Sequence, residues 1–290
     1  MSVVIPAHNR ADRIGAAVNS ALSQDYPPFE VIVVDDGSTD ATCVEVERLA
    51  RSHPAVRLVR HQTKRGAQAA RNTGIRESRG DWVAFLDSDD RWFHDSLSVR
   101  LHVARSRGVL VVHSECDVLR AGCAPAPFGV PPIEGSSYKR MLREPGPVFP
   151  GLLVSKKVFD HIGLLDEAIV AYQEWDLAIR LARHYQFGFA GQSTFVYDCR
   201  SSDAISRDST RAARGYEQIV SKHQWSVLRE LGPRALSTHY ERAAALYRDA
   251  GSDDHAARCL RKALLVWPVR PAAIARRLQR VLRIPRRQNA

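Results

Sequence analysis

The stretch Trp82–Asp90, W-V-A-F-L-D-S-D-D, constrains this chain more than any other. Five consecutive apolar residues, Trp82 to Leu86, predict a strand buried on both faces, as strands of parallel sheets are. The run stops at three carboxylates, Asp87, Asp89 and Asp90. Acids this close repel, and raise one another's pKa values unless a cation lies among them. Oxygen ligands at the carboxyl end of a buried strand suit Mg2+ or Mn2+, ions that commonly bridge to phosphates. Open α/β sheets bind their ligands at that end. A plainer reading makes Ser88, Asp89 or Asp90 the cap of the next helix, but a cap uses one acid and there are three.

Around this stretch the chain alternates. Val3–Ile5, Glu30–Val34 and Val56–Val59 read as strands. Ala11–Leu22, a segment ending near Ser52, and Gly66–Ser78 carry helical spacing or helix-forming residues. Gly37 permits a tight turn, and Ser38 or Asp40 can cap the helix that follows. Short strand–helix connections predict right-handed parallel units, hence a doubly wound, mostly parallel α/β sheet flanked by helices. Neither G-x-G-x-x-G nor G-x-x-x-x-G-K-[ST] occurs, which argues against a dinucleotide fold or a P-loop.

Further on, Trp92–Arg107 reads as a helix and Val109–His113 as a strand. Ala121–Pro150 holds seven prolines and reads mostly as a functional loop or lid. Phe149–Val154 returns to the sheet pattern, Lys156–Ile162 is a short helix, and Ala171–His184 is a helix containing Q-E-W-D-L. Phe187–Tyr197 reads as strands with turns, and Ser201–Ser209 as loop. After Thr210 the chain turns all-helical. Ala244–Pro268 has the small/large pattern of one tetratricopeptide-like hairpin, too little for a repeat array. Pro271–Ile284 sets Ile274, Leu278, Val281 and Leu282 on one helical face, with Arg276, Arg277, Arg280 and Arg283 largely elsewhere. The expected domains are 1–209, an α/β domain; 210–268, a helical extension; and 269–290, a basic amphipathic tail.

Composition matters in three places. The net charge of +10 resides in the end of the chain, since ten Lys or Arg and no acid follow from Arg258 onward. Residues 1–257 are formally neutral, and no nucleic-acid motif accompanies the basic tail. Five scattered cysteines without C-x-x-C spacing suit a reduced, cytoplasmic setting rather than disulfides or zinc. No signal-peptide pattern is read at the start, and no apolar stretch reaches the ~20 residues that span a bilayer. The tail has two readings: a helix lying on an anionic membrane as a peripheral anchor, or one packed on the body with its Arg face solvated.

Five segments in order carry a likeness to a known family: V-V-I-P-A-H-N-R at Val3–Arg10, V-V-D-D-G-S-T-D at Val33–Asp40, A-A-R-N-T-G-I at Ala69–Ile75, F-L-D-S-D-D at Phe85–Asp90, and Q-E-W-D-L at Gln173–Leu177. Together they resemble the family 2 glycosyltransferases over roughly the first 200 residues. The resemblance implies a GT-A fold, a nucleoside diphosphate sugar donor, a divalent metal, and inversion at the anomeric carbon. It further implies that Pro6, Ala7 and His8 line the base pocket, and that Asp87, Ser88 and Asp89 touch the donor. Asp89 or Asp90 would hold the metal, its neighbour the ribose.

The residues can be matched to that chemistry. A diphosphate leaves readily only when its developing charge is neutralised, as a metal at Asp89 and Asp90 would do. An attacking acceptor hydroxyl must lose its proton, and single-displacement inversion needs a base on the opposite face of the sugar. Glu174 is the candidate, at a position where the family usually carries Asp. It lies near a helix start, where the dipole favours the ionised form. Because Glu is a methylene longer, the role can instead shift to Asp176, which can also simply pair with Arg180. Asp36 can accept the imide N–H of uracil or thymine, favouring UDP- or dTDP-linked donors, while Asp35 reads as structural. Arg71, on a helix of small side chains, can hold the nucleotide, the Asp cluster, or a surface ion pair. Ala67, Ala70 and Gly74 read as permitting close helix–sheet packing.

The function expected is hexosyltransferase-like transfer to a saccharide or lipid-linked hydroxyl acceptor in cell-envelope polysaccharide or glycolipid synthesis. Two rivals use the same features: nucleotidyl transfer, with Arg10 and Arg13 as its visible basic residues, and a non-catalytic sugar-binding scaffold working through its helical end.

Overall fold

The structure, a computed structural model, describes residues 1–128, 132–200 and 208–268. The chain divides into two units. One comprises Met1–Ala168 and the chain from Gln173 through the last strand; the other comprises Ile169–Tyr172 and the helices from Ser209 onward.

In the first unit, strands β1 (Ser2–Ala7), β2 (Glu30–Asp35), β3 (Val56–Arg60) and β4 (Trp82–Phe85) alternate with helices α1 (Ile14–Leu22), α2 (Thr42–Ser52) and α3 (Ala67–Glu77). These four strands are parallel, ordered β3-β2-β1-β4. Every residue of β1 and β2 is buried, which is why they read as near-continuous apolar runs. The rest of the unit consists of β5 (Arg91–Trp92), α4 (Ser96–Arg107), β6 (Val111–Leu119), β7 (Ala126–Phe128), α5 (Tyr138–Met141), a 3-10 turn at Phe149–Gly151, β8 (Leu153–Ser155), α6 (Lys157–Ile162), α7 (Gln173–His184) and β9 (Phe187–Asp198).

The sheet continues from β4 through β8, β6 and β9 to β5, with β7 on β6. Here it is mixed: β8 is antiparallel to both β4 and β6, β9 runs parallel to β6, and β5 is antiparallel to β9. Parallel pairing thus dominates one half only. Three buried residues such as Leu153–Ser155 carry no signal of direction in sequence.

Two predicted elements take another form. Trp92–Arg107 is not one helix: Arg91 and Trp92 pair with Val196 and Phe195, and the helix begins at Ser96. Trp92 is held out of the helix by its indole N–H, which donates to Pro150 O at 2.9 Å. The proline-rich stretch Ala121–Pro150 contains β7, α5 and the 3-10 turn. It is anchored where buried His113 Nε2 lies 3.0 Å from Ile133 O and 3.1 Å from Ile133 N.

Helix α3 lies close on β1. A Cβ on Gly74 would fall 2.2 Å from Val4 Cγ1, so only a residue without a side chain fits. Gly37, at φ +72°, turns the chain after β2 against the backbone of Thr63 and Lys64.

The second unit contains α8 (Ser209–Leu231), α9 (Pro233–Asp249) and α10 (Asp253–Val266), with α9 packed on both others. The hairpin expected at Ala244–Pro268 is the end of α9 with α10, and three helices rather than two share the core. Within it Glu217 accepts from Tyr247 Oη at 2.8 Å, Lys262 Nζ at 2.9 Å and Arg258 Nη2 at 3.2 Å. Burial raises its pKa, but these partners outweigh burial and hold it below the usual carboxylate range. The amphipathic-tail reading of 269–290 and most of the Ser201–Ser209 loop lie outside the described residues. Among the described residues no helix is long and apolar enough to cross a membrane.

Replacing Gly74 by Ala forces α3 off β1, and is expected to cost about 1–3 kcal/mol, the usual price of overpacking. Chemical denaturation measures it; an unchanged midpoint would mean that α3 is not held against Val4.

Candidate active site

Strands β1, β2 and β4 are parallel neighbours or near-neighbours, so their carboxyl ends share one edge of the sheet. The loops leaving that edge are bolted together by their own polar residues. Asn9, at φ +52°, donates its amide to Ser38 Oγ at 2.9 Å and accepts from Thr39 N at 2.9 Å. Asp40 accepts the amides of Ala11 at 3.1 Å and Thr42 at 2.9 Å, which makes it the side chain that serves the start of α2. Asp35 accepts from Ser38 N at 3.1 Å, a turn-forming role.

Asp36 is buried and clamps a third loop. Its Oδ1 accepts from His61 Nδ1 at 2.8 Å and Arg65 N at 2.9 Å, and its Oδ2 from Gly66 N at 2.6 Å. Burial raises its pKa, yet these three donors outweigh burial and hold it below the ordinary range. A carboxylate has about four acceptor positions, so one remains for a ligand. Pro6 and Ala7, at the end of β1, are buried beside it in register with Val34 and Asp35. His8 follows, with its Nδ1 buried and without a hydrogen-bond partner.

After β4 come the three acids. Arg71, nine-tenths buried on α3, donates from Nη2 to Asp87 Oδ1 and from Nη1 to Gln68 Oε1 at 3.2 Å. Its guanidinium lies 4.0 Å from the centre of the Phe149 ring. Arg71 therefore belongs to the acid cluster, and the surface-pair reading is set aside. Ser88 is buried. Asp90 is buried too; its Oδ1 accepts from Asp198 N at 2.9 Å, tying the loop to the end of β9, while its Oδ2 is buried without a partner. Burial, reinforced by Asp87, raises the pKa of Asp89 and raises that of Asp90 well above its ordinary value.

The negative charge gathered on half-buried Asp87 and Asp89 and buried Asp90, with the orphaned Oδ2 of Asp90, fits a divalent cation at Asp89 and Asp90. Among the described residues no three His, Cys, Asp or Glu gather as a metal cage. The pair Asp89 and Asp90 suits an ion that takes one or two carboxylates and completes its shell with phosphate and water. Arg10 and Arg13 also act on Asp89, lowering its pKa against the burial effect. Both are visible in the sequence, but nothing local connects them to an acid some 80 residues away.

Glu174 is the second residue of α7. Burial raises its pKa, Asp87 adds to this, and its own amide and Arg71 oppose it. Arg71 and Asp87 thus both act electrostatically on the candidate base. Its neighbours in Q-E-W-D-L are committed elsewhere. Trp175 Nε1 donates to Met141 O at 2.6 Å, and buried Asp176 accepts from Arg180 Nε at 2.9 Å. Asp176 thus takes the ion-pair reading.

Asn72 was not singled out by sequence reasoning, although it stands beside Arg71 in A-A-R-N-T-G-I. It grips Leu165 in both directions, accepting from Leu165 N and donating to Leu165 O, each at 2.9 Å, and donates to Glu167 Oε1 at 2.9 Å.

The architecture is that of the GT-A glycosyltransferases. S. aureus TarS 1-349 in complex with UDP-GlcNAc matches with a TM-score of 0.63 at 18% identity, over 90% of each chain. The mannosyltransferase PcManGT from Pyrobaculum calidifontis, in complex with GDP-Man and Mn2+, matches with a TM-score of 0.61 at 22% identity, over 97% of this chain and 84% of that one. Residues 2–124 match the model of glycosyl transferase family 2. Over 181 residues the chain is 29% identical to the UDP-Glc:alpha-D-GlcNAc-diphosphoundecaprenol beta-1,3-glucosyltransferase WfaP of Escherichia coli, covering 62% of this chain and 68% of that protein. Other curated relatives are spanned over smaller shares, 63% and 56% of two of them. These findings show the GT-A fold, with a likeness to glycosyl transferase family 2 over residues 2–124.

Two outcomes follow from the pKa shifts of Asp36 and Glu174. Replacing Asp36 by Ala leaves the amides of Arg65 and Gly66 without an acceptor, and is expected to cost about 1–3 kcal/mol. Because its folded pKa is depressed, that contribution is present above the ordinary carboxylate range and is lost as pH falls through the folded value; urea titrations at several pH values measure it. Glu174→Gln has the opposite sign for stability. A raised folded pKa means that the native state binds the proton more tightly than the unfolded chain, so stability falls as pH rises between the two values. The amide removes that penalty, and the variant is expected to melt higher than the parent at neutral pH.

Proposed function

We propose that the protein is an inverting glycosyltransferase that moves a sugar from a nucleoside diphosphate sugar, UDP- or dTDP-linked in preference, to a hydroxyl acceptor. The observation that carries this reading is the pairing of buried Arg71 with Asp87 in the acid cluster Asp87–Asp90 at the carboxyl end of β4; both also act electrostatically on Glu174. Asp36 offers its remaining acceptor position to the imide of the base, with Pro6, Ala7 and His8 alongside. Asp87 and Ser88 contribute to the donor site, and Arg71 holds Asp87 in place while lending positive charge near the diphosphate. Asp89 and Asp90 are the residues that would hold Mn2+ or Mg2+, and a divalent ion bound there neutralises charge developing on the leaving diphosphate.

Glu174 takes the proton of the attacking hydroxyl. Its raised pKa brings it closer to the working pH, as suits a general base. Ionised, it is favoured by Arg71; protonated, it is inactive. The rate therefore falls as pH drops through that raised value, above the usual carboxylate range. A general base at Glu174 suits inversion in one displacement, which needs no covalent nucleophile.

The WfaP name describes a UDP-Glc donor and a diphosphoundecaprenol-linked acceptor, and the TarS complex holds UDP-GlcNAc. Both support a UDP-linked donor here and an acceptor that is a saccharide, free or lipid-linked, in envelope polysaccharide synthesis. The Mn2+ of the Pyrobaculum calidifontis enzyme supports the choice of metal. We also propose a cytoplasmic, peripheral location, with the basic tail meeting an anionic membrane surface.

A thermal-shift screen of UDP, dTDP, GDP and CDP tests the donor site. Stabilisation by UDP or dTDP with Mn2+ or Mg2+, abolished by EDTA, is the expected result. No shift with any nucleotide would sink this assignment, and release of pyrophosphate rather than nucleoside diphosphate from nucleotide-sugar would replace glycosyl with nucleotidyl transfer.

A further inference from the structure

Asp36 is held by more than the loop it turns. Its bonds to the amides of Arg65 and Gly66 tie it to the start of α3, since Gly66 stands immediately before the first residue of that helix. A third bond comes from the side chain of His61. This residue follows β3 directly, and its amide donates to Asp35 O at 2.9 Å, so the sheet backbone fixes where the ring begins.

The imidazole lies between two partners. Its Nδ1 stands 2.8 Å from Asp36 Oδ1, and its Nε2 stands 2.9 Å from Thr73 Oγ1 on α3. Only 8% of the His61 side chain and 4% of that of Asp36 are exposed, so little water competes for either group. An ionised carboxylate can only accept, and the ring therefore carries a proton on Nδ1. Nε2 of the neutral ring then accepts from the hydroxyl of Thr73, and one tautomer satisfies both contacts.

Each oxygen of a carboxylate has about two acceptor positions. Oδ1 has both filled, by His61 and the amide of Arg65, whereas Oδ2 has one filled, by the amide of Gly66. The open position is therefore on Oδ2. Without His61 both oxygens would have an opening, and the carboxylate could turn or take up a proton. That matters for the choice of base. Uracil and thymine present an N–H at the edge where cytosine presents a bare ring nitrogen. A group that can only accept attracts the first and repels the second.

We propose that His61 is a positioning residue that sets the choice of base: braced by Thr73, it fills Asp36 Oδ1 and leaves Oδ2 to meet the base, so that the pocket takes uracil or thymine and refuses cytosine. The proposal rests on Asp36 reading the base. It is separate from the acid cluster, where Arg71 pairs with Asp87, because both ring nitrogens of His61 are spent on Asp36 and Thr73.

Calorimetric titration of UDP and of CDP, each with Mn2+, into the full chain and its variants tests this. His61→Phe keeps a ring and removes both nitrogens. Its preference for UDP over CDP is expected to fall by about tenfold, the scale of one hydrogen bond to a charged group. His61→Asn returns an N–H near the position of Nδ1 and should recover most of that preference, which a ring that merely fills space would not allow. Thr73→Val removes the brace and should lower the preference by less than His61→Phe does. An unchanged preference in His61→Phe overturns the proposal, as does an equal loss of UDP and CDP binding. Should His61→Phe fail to fold, Thr73→Val decides, and a parent-like preference there overturns the proposal. Asp36→Asn run in parallel separates the two ideas. If it keeps the parent's preference, or the parent has none, Asp36 does not read the base; if it loses the preference while His61→Phe keeps it, only the positioning role has failed.

Discussion

Negative charge gathered at the end of β4, on half-buried Asp87 and Asp89 and buried Asp90, is the constraint around which the first unit is arranged. Three carboxylates in four residues would destabilise any loop that had to desolvate them together. Each has a different answer in the structure. Asp87 receives the guanidinium of Arg71, itself steadied by Gln68 and the face of Phe149. Asp90 receives the amide of Asp198 on one oxygen only. Asp89 has the more distant help of Arg10 and Arg13. The remaining imbalance is the physical argument for a cation, which would complete what the protein leaves uncompensated.

Rigidity in the surrounding loops follows from the same need. A site that holds charge in a fixed geometry has to prevent its loops from relaxing around that charge. The loops after β1 and β2 are cross-bonded through Asn9, Ser38, Thr39 and Asp40, and the loop after β3 is drawn in by Asp36. Beneath them α3 is pressed on β1 at Gly74, which brings Arg71 and Asn72 to the sheet edge on a scaffold of small side chains. One turn of helix thereby controls both the acid cluster and the segment that leads toward Glu174.

Much of this was legible in the linear chain because its signals are local. Apolar runs announced β1, β2, β3 and β4, and polar residues at their carboxyl ends announced the loops. The reading faltered where a short element depends on a distant partner. Arg91–Trp92 becomes a strand only because β9 lies beside it, and β8 takes its direction from its place between β4 and β6. The proline-rich stretch resembled plain loop because the buried contacts that order it, His113 with Ile133 among them, join residues on different elements.

What the sequence by itself determined is the parallel half of the sheet, the helical end, and the identity of the acids, since hydrophobic period and clustered charge are properties of neighbours along the chain. Only the tertiary structure decided which group answers each acid. Arg71 and Asp87 are 16 residues apart, Asp36 and Gly66 are 30 apart, and Asp90 and Asp198 are 108 apart. It also decided that Ile169–Tyr172 runs with the helices rather than the sheet. Such pairings arise from packing, in which the burial of apolar faces fixes the backbone first, and the polar groups carried along with it must then find partners or wait for a ligand.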